Sequence, residues 1–417
     1  MTGPSGNPTE AREWRRHGAL LLPCFAGVFM CSMYGHTLGV MIAPLEREFG
    51  WSRAEITLGP LIVAGISIFV APLAGIVIDR LGPRPVALAA VPIFGAAFAM
   101  LSTASSSILS WWALWVLLAV PLIFVLPMVW TAAVNRNFHR NRGLALAITL
   151  CGTSVSTAVM PFVAQLLVEG RGWRAAYLGM GLGSLVIVLP LVYFLFRGAT
   201  LRGPAGDRQA REALEAPPSA SVRASMASAR FVKLAAAVMI FSFAVSALIV
   251  NAVPILMNRG LEAMEAAKLA GFIGIGSLTG RLGGGFLLDR LPAGRVAAAC
   301  VCAPIVSLLL LLTHGDNPTT AAVACLILGL AVGGEIDACA YLTARHFSIA
   351  HFGALFGVMN AALTLGNGIA PAAVNHVYDV SGSYEPVLWA LIPLCLVTSL
   401  LFLSLGPYPQ ATEPDTA

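Results

Sequence analysis

Three charged residues, Arg281, Glu335 and Asp337, stand well inside long apolar runs. A charge at bilayer depth costs about 2.5–3.5 kcal/mol on insertion scales, so its retention asks for a reason. The guanidinium of Arg281 is always ionised and can hold a carboxylate through two parallel hydrogen bonds. The competing reading is an ion pair with Glu335 or Asp337 that does no more than join helices. Either acid, set in a low dielectric, could also take up and release a proton. His36, in MYGHTLGV, is a further candidate, because an imidazole can change charge near neutral pH. A lone histidine in an apolar span is more often a hydrogen-bonded packing residue. Tyr34 offers a hydroxyl close by in sequence. Asn251 needs partners if buried, and Trp130 could either wall a cavity or pack between helices. This chemistry is anion binding with proton exchange. No nucleophile–base pair, CxxC or Cys/His cluster accompanies it, so no enzyme activity, metal or cofactor is expected.

The elements that must position these residues follow from composition. Of 417 residues, 58% are hydrophobic and only 11% charged, with a mean hydropathy of +0.83. A soluble domain carries roughly 25% charged residues. Twelve apolar runs approach the length of about 20 residues that a bilayer crossing requires. They lie near 19–43, 55–78, 86–104, 108–134, 143–168, 175–196, 233–257, 265–288, 295–313, 319–343, 352–377 and 385–405. Backbone groups in hydrocarbon must be satisfied within each segment, so the runs are expected to be helices. The expected architecture is an all-α membrane protein of twelve transmembrane helices in two pseudo-symmetric six-helix bundles. Its divisions are a cytoplasmic tail (1–17), a first bundle (18–197), a linker (198–230), a second bundle (231–406) and a second tail (407–417). The linker is rich in Ala, Pro, Gly, Ser and Arg and has no apolar face large enough to fold alone.

The pseudo-symmetry is read from a repeat with one register of 210 residues. Pro44 and Gly50 recur as Pro254 and Gly260. Gly75, Asp79, Arg80 and Leu81 recur as Gly285, Asp289, Arg290 and Leu291, and Gly143, Pro161 and Gly172 as Gly353, Pro371 and Gly382. Two related halves place a ligand site between them, near the membrane midplane. Arg281 aligns with Ala71, so its charge is not part of the shared scaffold. The glycines of GFIGIGSLTGRLGGGF lie inside a span with no preceding strand and no phosphate-binding lysine, so they read as helix-packing residues. Pro161 and Pro371 read as bends. All eight cysteines fall in predicted spans, with no pair in outer loops where a disulfide would form.

Loop charge sets the orientation. With the N-terminus inside, 18 Lys and Arg fall in cytoplasmic segments and 6 in outer ones. The positive-inside rule then places both termini in the cytoplasm of a multi-pass protein in the cell (inner) membrane. The net charge of +5 reflects that bias and gives no reason to expect nucleic acid.

The loop motifs resemble the major facilitator superfamily. Its cytoplasmic signature, G-x-x-x-D-R/K-x-G-R/K-R/K, is matched by Gly75, Asp79, Arg80, Gly82 and Arg84, with Pro83 replacing a basic residue. Gly285, Asp289, Arg290 and Arg295 form a looser second copy. The resemblance implies that these loops gate the cytoplasmic side. Within the superfamily, EFGWSRAEIT, GWR at 172–174, AYLTARHFSIAHFGALFG and GSY at 382–384 resemble the bacterial monocarboxylate porter group, which includes oxalate/formate-type exchangers. That implies substrate-carboxylate binding at Arg281. The group's aspartate one turn earlier is Ser277 here, leaving Glu335, Asp337 or His36 to carry a proton. His36 stands where the group often has lysine. An eleventh-span lysine of related exchangers is absent; Asn360, Thr364 and Asn367 stand there instead. A single cationic anchor suits a monocarboxylate better than a dianion. The expected function is secondary transport of a small organic anion by a monomer in the bilayer, with proton symport. Efflux of an amphipathic compound by proton antiport is the alternative.

Overall fold

The computed structural model describes residues 8–196, 225–288, 293–346 and 352–405. The described residues contain no strand. The first bundle comprises α1 (Leu21–Phe49), α2 (Gly59–Leu81), α3 (Pro83–Met100) and α4 (Ile108–Asn137, interrupted at 124–126). It is completed by α5 (142–171) and α6 (173–195), which run as one helical stretch, Arg142–Leu195, broken at Gly172. In the second bundle α7 (Ala229–Val250) resumes past Asn251 as Ala252–Asn258. It is followed by α8 (Ala263–Leu288), α9 (Ala293–His314), α10 (Pro318–His346), α11 (Phe352–Ser381) and α12 (Glu385–Leu403). Seven described segments qualify as crossings by length and composition. One of them, the 54-residue Arg142–Leu195, is about 80 Å long at 1.5 Å per residue and so supplies two. Large apolar side chains point outward, as lipid contact requires: Phe69 is 77% and Val186 73% exposed.

The apolar runs locate these helices but understate their ends. The first run stops near 43, yet α1 continues through Glu46, Arg47 and Glu48. It ends at Gly50, whose φ of +69° suits a residue without Cβ and whose N–H bonds the Glu46 carbonyl. A capping box follows at once: Ser52 Oγ accepts the Glu55 N–H while the Glu55 carboxylate accepts the Ser52 N–H, starting the turn Arg53–Ile56. The sequence EFGWSRAE is therefore a stop signal and a start signal back to back.

The repeat survives in three dimensions. Within the halves, α1 packs on α5 and α7 on α11, α2 on α4 and α8 on α10, and α3 on α6 and α9 on α12. Between the halves, α5 meets α8 and α2 meets α11. Each seam has a glycine set against an alanine. Gly274 of α8 lies on Ala158 of α5, and Gly368 of α11 lies on Ala64 of α2. Ala64 and Gly274 are 210 apart, and so are Ala158 and Gly368. Small residues at these points let backbones meet. Proline adds a matched device on α11. Pro371 has no N–H to give the Asn367 carbonyl, which instead accepts the Ser246 hydroxyl of α7 at 2.9 Å.

Two faces of the membrane domain can be told apart by their turns. One carries the α1, α5, α7 and α11 turns, at Gly50, Gly172, Gly260 and Gly382, and is called the Gly50 face. The other carries the Asp79 loop. On the Asp79 face the N-terminal helix Pro8–His17 covers the α4–α5 turn, its Glu13 carboxylate accepting the His139 N–H at 2.8 Å and the Asn141 N–H at 3.2 Å.

Candidate functional site

The site is assembled along one face of α5. The run Cys151-Gly-Thr-Ser-Val-Ser-Thr157 places four hydroxyls at mid-span, which between them meet Ser32, Ser277 and His36. Thr153 accepts from Ser32 of α1 at 3.3 Å. Ser154 and Ser277 of α8 share a buried hydrogen bond of 3.0 Å that joins the two halves. Ser156 and Thr157 hold the two ring nitrogens of His36, at 3.3 Å to Nδ1 and 3.0 Å to Nε2. Thr157 gives its own hydrogen to the Thr153 carbonyl. It therefore accepts from His36, which sets the Nε2–H tautomer and leaves Nδ1 to accept from Ser156. Thr157→Val keeps the shape and removes that acceptor. Leaving a buried N–H unpaired costs about 1–3 kcal/mol, so thermal unfolding of the purified protein should show a clear loss of stability. Ser156→Ala, at the longer bond, should cost less.

Arg281 lies one turn beyond Ser277 on α8, in electrostatic reach of Cys151. It is only partly buried, but its Nε is fully buried and has no hydrogen-bond partner. Unpaired buried donors are rare in native structures because each forfeits its hydration. This one stands at the α5–α8 seam, beside Cys151 of α5. The side chains of Glu335 and Asp337 lie outside the described residues, although both positions fall on α10.

The other predicted residues are distributed more widely. Tyr34 is partly buried, with its ring edge-on to Trp115 at 6.2 Å. Trp130 is fully buried; its indole N–H bonds the Val125 carbonyl at 2.8 Å and its ring fills the space left by Gly27 of α1. Asn251 is also fully buried, at the break in α7, where its Nδ2 bonds the Ala247 carbonyl at 2.9 Å and its Oδ1 accepts from Asn375 at 2.7 Å. Both residues have their polar groups engaged by protein. Asn360 is exposed on α11, its carbonyl taking the Thr364 hydroxyl at 2.7 Å. Next to His36, a small cleft between the halves is lined by Gly39, Thr157, Pro161, Val250 and Ile273.

Of the predicted gate, Asp79 pairs with Arg136 of α4 at 3.8 Å, and Arg84 donates to the Tyr193 carbonyl of α6 at 3.2 Å. Arg80 is exposed. Gly75 faces Met128 of α4, whose Sδ would lie 4.0 Å from a Cβ at that position. The turn between α2 and α3 is made by Gly82 at φ +85°. Gly285 lies within α8, while Asp289 and Arg290 lie outside the described residues.

Sequence reasoning missed the hydroxyl partners Ser154, Ser156 and Thr157. The available signal was a run of four hydroxyl residues in the middle of an apolar span. It also missed the pairing of Arg53 with Asp379, and Asn375 beneath it: EFGWSRAEIT contains Arg53 without giving it a role, and no motif marks Asp379 or Asn375.

A family model for the Major Facilitator Superfamily matches residues 24–339. The chain belongs to the Major Facilitator Superfamily. The 4-hydroxybenzoate transporter PcaK of Acinetobacter baylyi is 24% identical over 403 residues, covering 86% of each chain. Monocarboxylate transporter 13 of Rattus norvegicus is 24% identical, covering 89% of this chain and 73% of its own. In fold, a crystal structure of the nucleoside transporter NupG superposes with a TM-score of 0.77 at 13% identity, covering 93% of this chain and all of NupG. This major facilitator chain is accordingly a multi-pass membrane protein.

Proposed function

We propose that the protein is a secondary transporter of a small organic anion with one carboxylate, working by alternating access between its two halves. The observation that carries this reading is the buried, unpartnered Nε of Arg281 at the seam between them. The relatives agree in chemistry: one is named for an aromatic monocarboxylate and another for monocarboxylates. In this reading the substrate carboxylate docks on Arg281 with the hydroxyls of Ser154 and Ser277 beside it. His36, which lines the cleft between the halves, and Tyr34 are further contacts in this reading. Ser277 cannot titrate, so a coupled proton is carried by Glu335, Asp337 or His36. Positive loop charge puts both termini and the Asp79 face in the cytoplasm, where Asp79–Arg136 and the second loop copy at Gly285, Asp289 and Arg290 gate the site. The carrier acts as a monomer in the inner membrane.

The test is uptake by proteoliposomes of labelled aromatic and aliphatic monocarboxylates, with and without an inward proton gradient. Saturable uptake of at least one acid, stimulated by the gradient, is the expected result. Folded protein that carries no carboxylate in the panel would overturn the reading.

A further inference from the structure

The two seams between the halves are pinned at different depths. The α5–α8 seam is held by Ser154–Ser277, next to Arg281. The α2–α11 seam is held on the Gly50 face. There Asp379, at the end of α11, accepts the N–H groups of Arg53 and Ala54 with its two oxygens, at 3.0 and 2.9 Å. The Arg53 guanidinium lies over the Tyr378 ring, its Cζ 3.8 Å from the centroid, and donates to the Tyr384 hydroxyl at 3.1 Å. Glu46 of α1 steadies it from its own half at 2.9 Å. The Thr57 hydroxyl reaches the Pro371 carbonyl at 3.3 Å. None of this is repeated in the other seam: the register partner of Arg53 is Ala263, and that of Asp379 is Glu169, which takes a hydrogen bond from Gln165 of its own helix.

A buried chain leads inward from this contact. The Tyr384 hydroxyl donates to Asn375 Oδ1 at 2.8 Å, Asn375 Nδ2 donates to Asn251 Oδ1 at 2.7 Å, and Asn251 Nδ2 donates to the Ala247 carbonyl at 2.9 Å. Every donor points away from the Arg53 cation, so each bond polarises the next. The chain ends at the α7 break. Immediately before the break, the Val250 carbonyl, left without an N–H by Pro254, rests on Gly39 of α1, one turn from His36.

We propose that Arg53 and Asp379 form the latch that closes the Gly50 face, and that Tyr384, Asn375 and Asn251 couple this latch to the bend in α7. Release of the latch removes the polarising cation, frees the α7 break and separates Val250 from Gly39, so the latch and the α7 bend switch together. The inference rests on the alternating-access reading.

Hydrogen exchange of the full-length protein in lipid nanodiscs tests it, with wild type compared against Asp379→Asn, Arg53→Gln and Tyr384→Phe. Exchange in 246–258 should rise about tenfold or more in all three, with the 75–85 loop unchanged. Arg53→Lys keeps a cation over Tyr378 and should fall between wild type and Arg53→Gln. Matching thermal melts exclude general unfolding. The proposal is overturned if Asp379→Asn and Arg53→Gln affect only 50–58 and 378–386, or if Tyr384→Phe leaves 246–258 at the wild-type rate. If these shifts appear in a protein that carries no carboxylate, the substrate reading fails and the latch stands.

Discussion

Replacing Arg281 with Gln should abolish carboxylate uptake without weakening the fold. Truncating one partner of a buried, hydrogen-bonded charge pair costs about 2–5 kcal/mol. At 1.4 kcal/mol per decade that is roughly a thirtyfold to several-thousandfold loss of affinity for the anion. Stability should move differently. Arg281 is only partly buried, but its Nε is buried with no partner, so that one donor forfeits its hydration in the empty protein. A neutral Gln relieves that cost, so the melting temperature of the substrate-free protein should hold or rise. A guanidinium that merely joined helices would behave the other way, with stability and uptake falling together. Arg281→Lys separates charge from shape: it keeps one cation but loses the planar fork, so uptake should be partly retained with a raised KM. Uptake within twofold of wild type in Arg281→Gln would remove this residue from the site.

How far the sequence discloses the site depends on whether a contact obeys the repeat. The Gly274–Ala158 and Ala64–Gly368 contacts do: the register of 210 residues relates one to the other. The turns at Gly172 and Gly382 do as well, both with positive φ, and their neighbours play parallel parts. Trp173 and Arg174 bind Glu48 at the end of α1, and Tyr384 gives its N–H to Asn258, the register partner of Glu48, at 3.3 Å. Arg281 was legible for the opposite reason, since its charge departs from the repeat inside an apolar run. Arg53 and Asp379 were not. They are 326 residues apart, both look like ordinary loop charges, and only the docking of α11 on α2 brings them together. Asn251 shows the limit of residue type. A buried amide was expected to need partners, but the pattern could not distinguish a substrate from Asn375, which stands one turn after Pro371 with no signature of its own. His36 is ambiguous in the same way in the sequence, which does not mark Ser156 and Thr157 as the groups on its two nitrogens.

Leu placed at Gly274 and at Gly276 should produce two different failures, although the positions are two residues apart on α8. Gly276 faces its own bundle, where a Cβ would strike the Leu326 carbonyl and the Gly329 and Leu330 backbone of α10. That contact is part of the second bundle in every state of a transporter whose halves move as units. Overpacking of a tight contact costs about 1–3 kcal/mol, and more where rigid backbone must yield. Gly276→Leu should therefore melt at a lower temperature and aggregate on size exclusion. Gly274 faces the other half, where a Cβ would meet the Ser154 carbonyl and the Ala158 N–H of α5. The cost there falls only on the state in which the halves close at this seam. Gly274→Leu should fold normally and fail to transport, because Ser154 and Ser277 can no longer meet. Gly368→Leu, its counterpart against Ala64, should behave alike. Exchange at 154–158 and at 60–64 should then rise in both variants, since each wedge opens the same interface. Normal uptake by Gly274→Leu, or unfolding as severe as that of Gly276→Leu, would show that the α5–α8 seam does not part during the cycle.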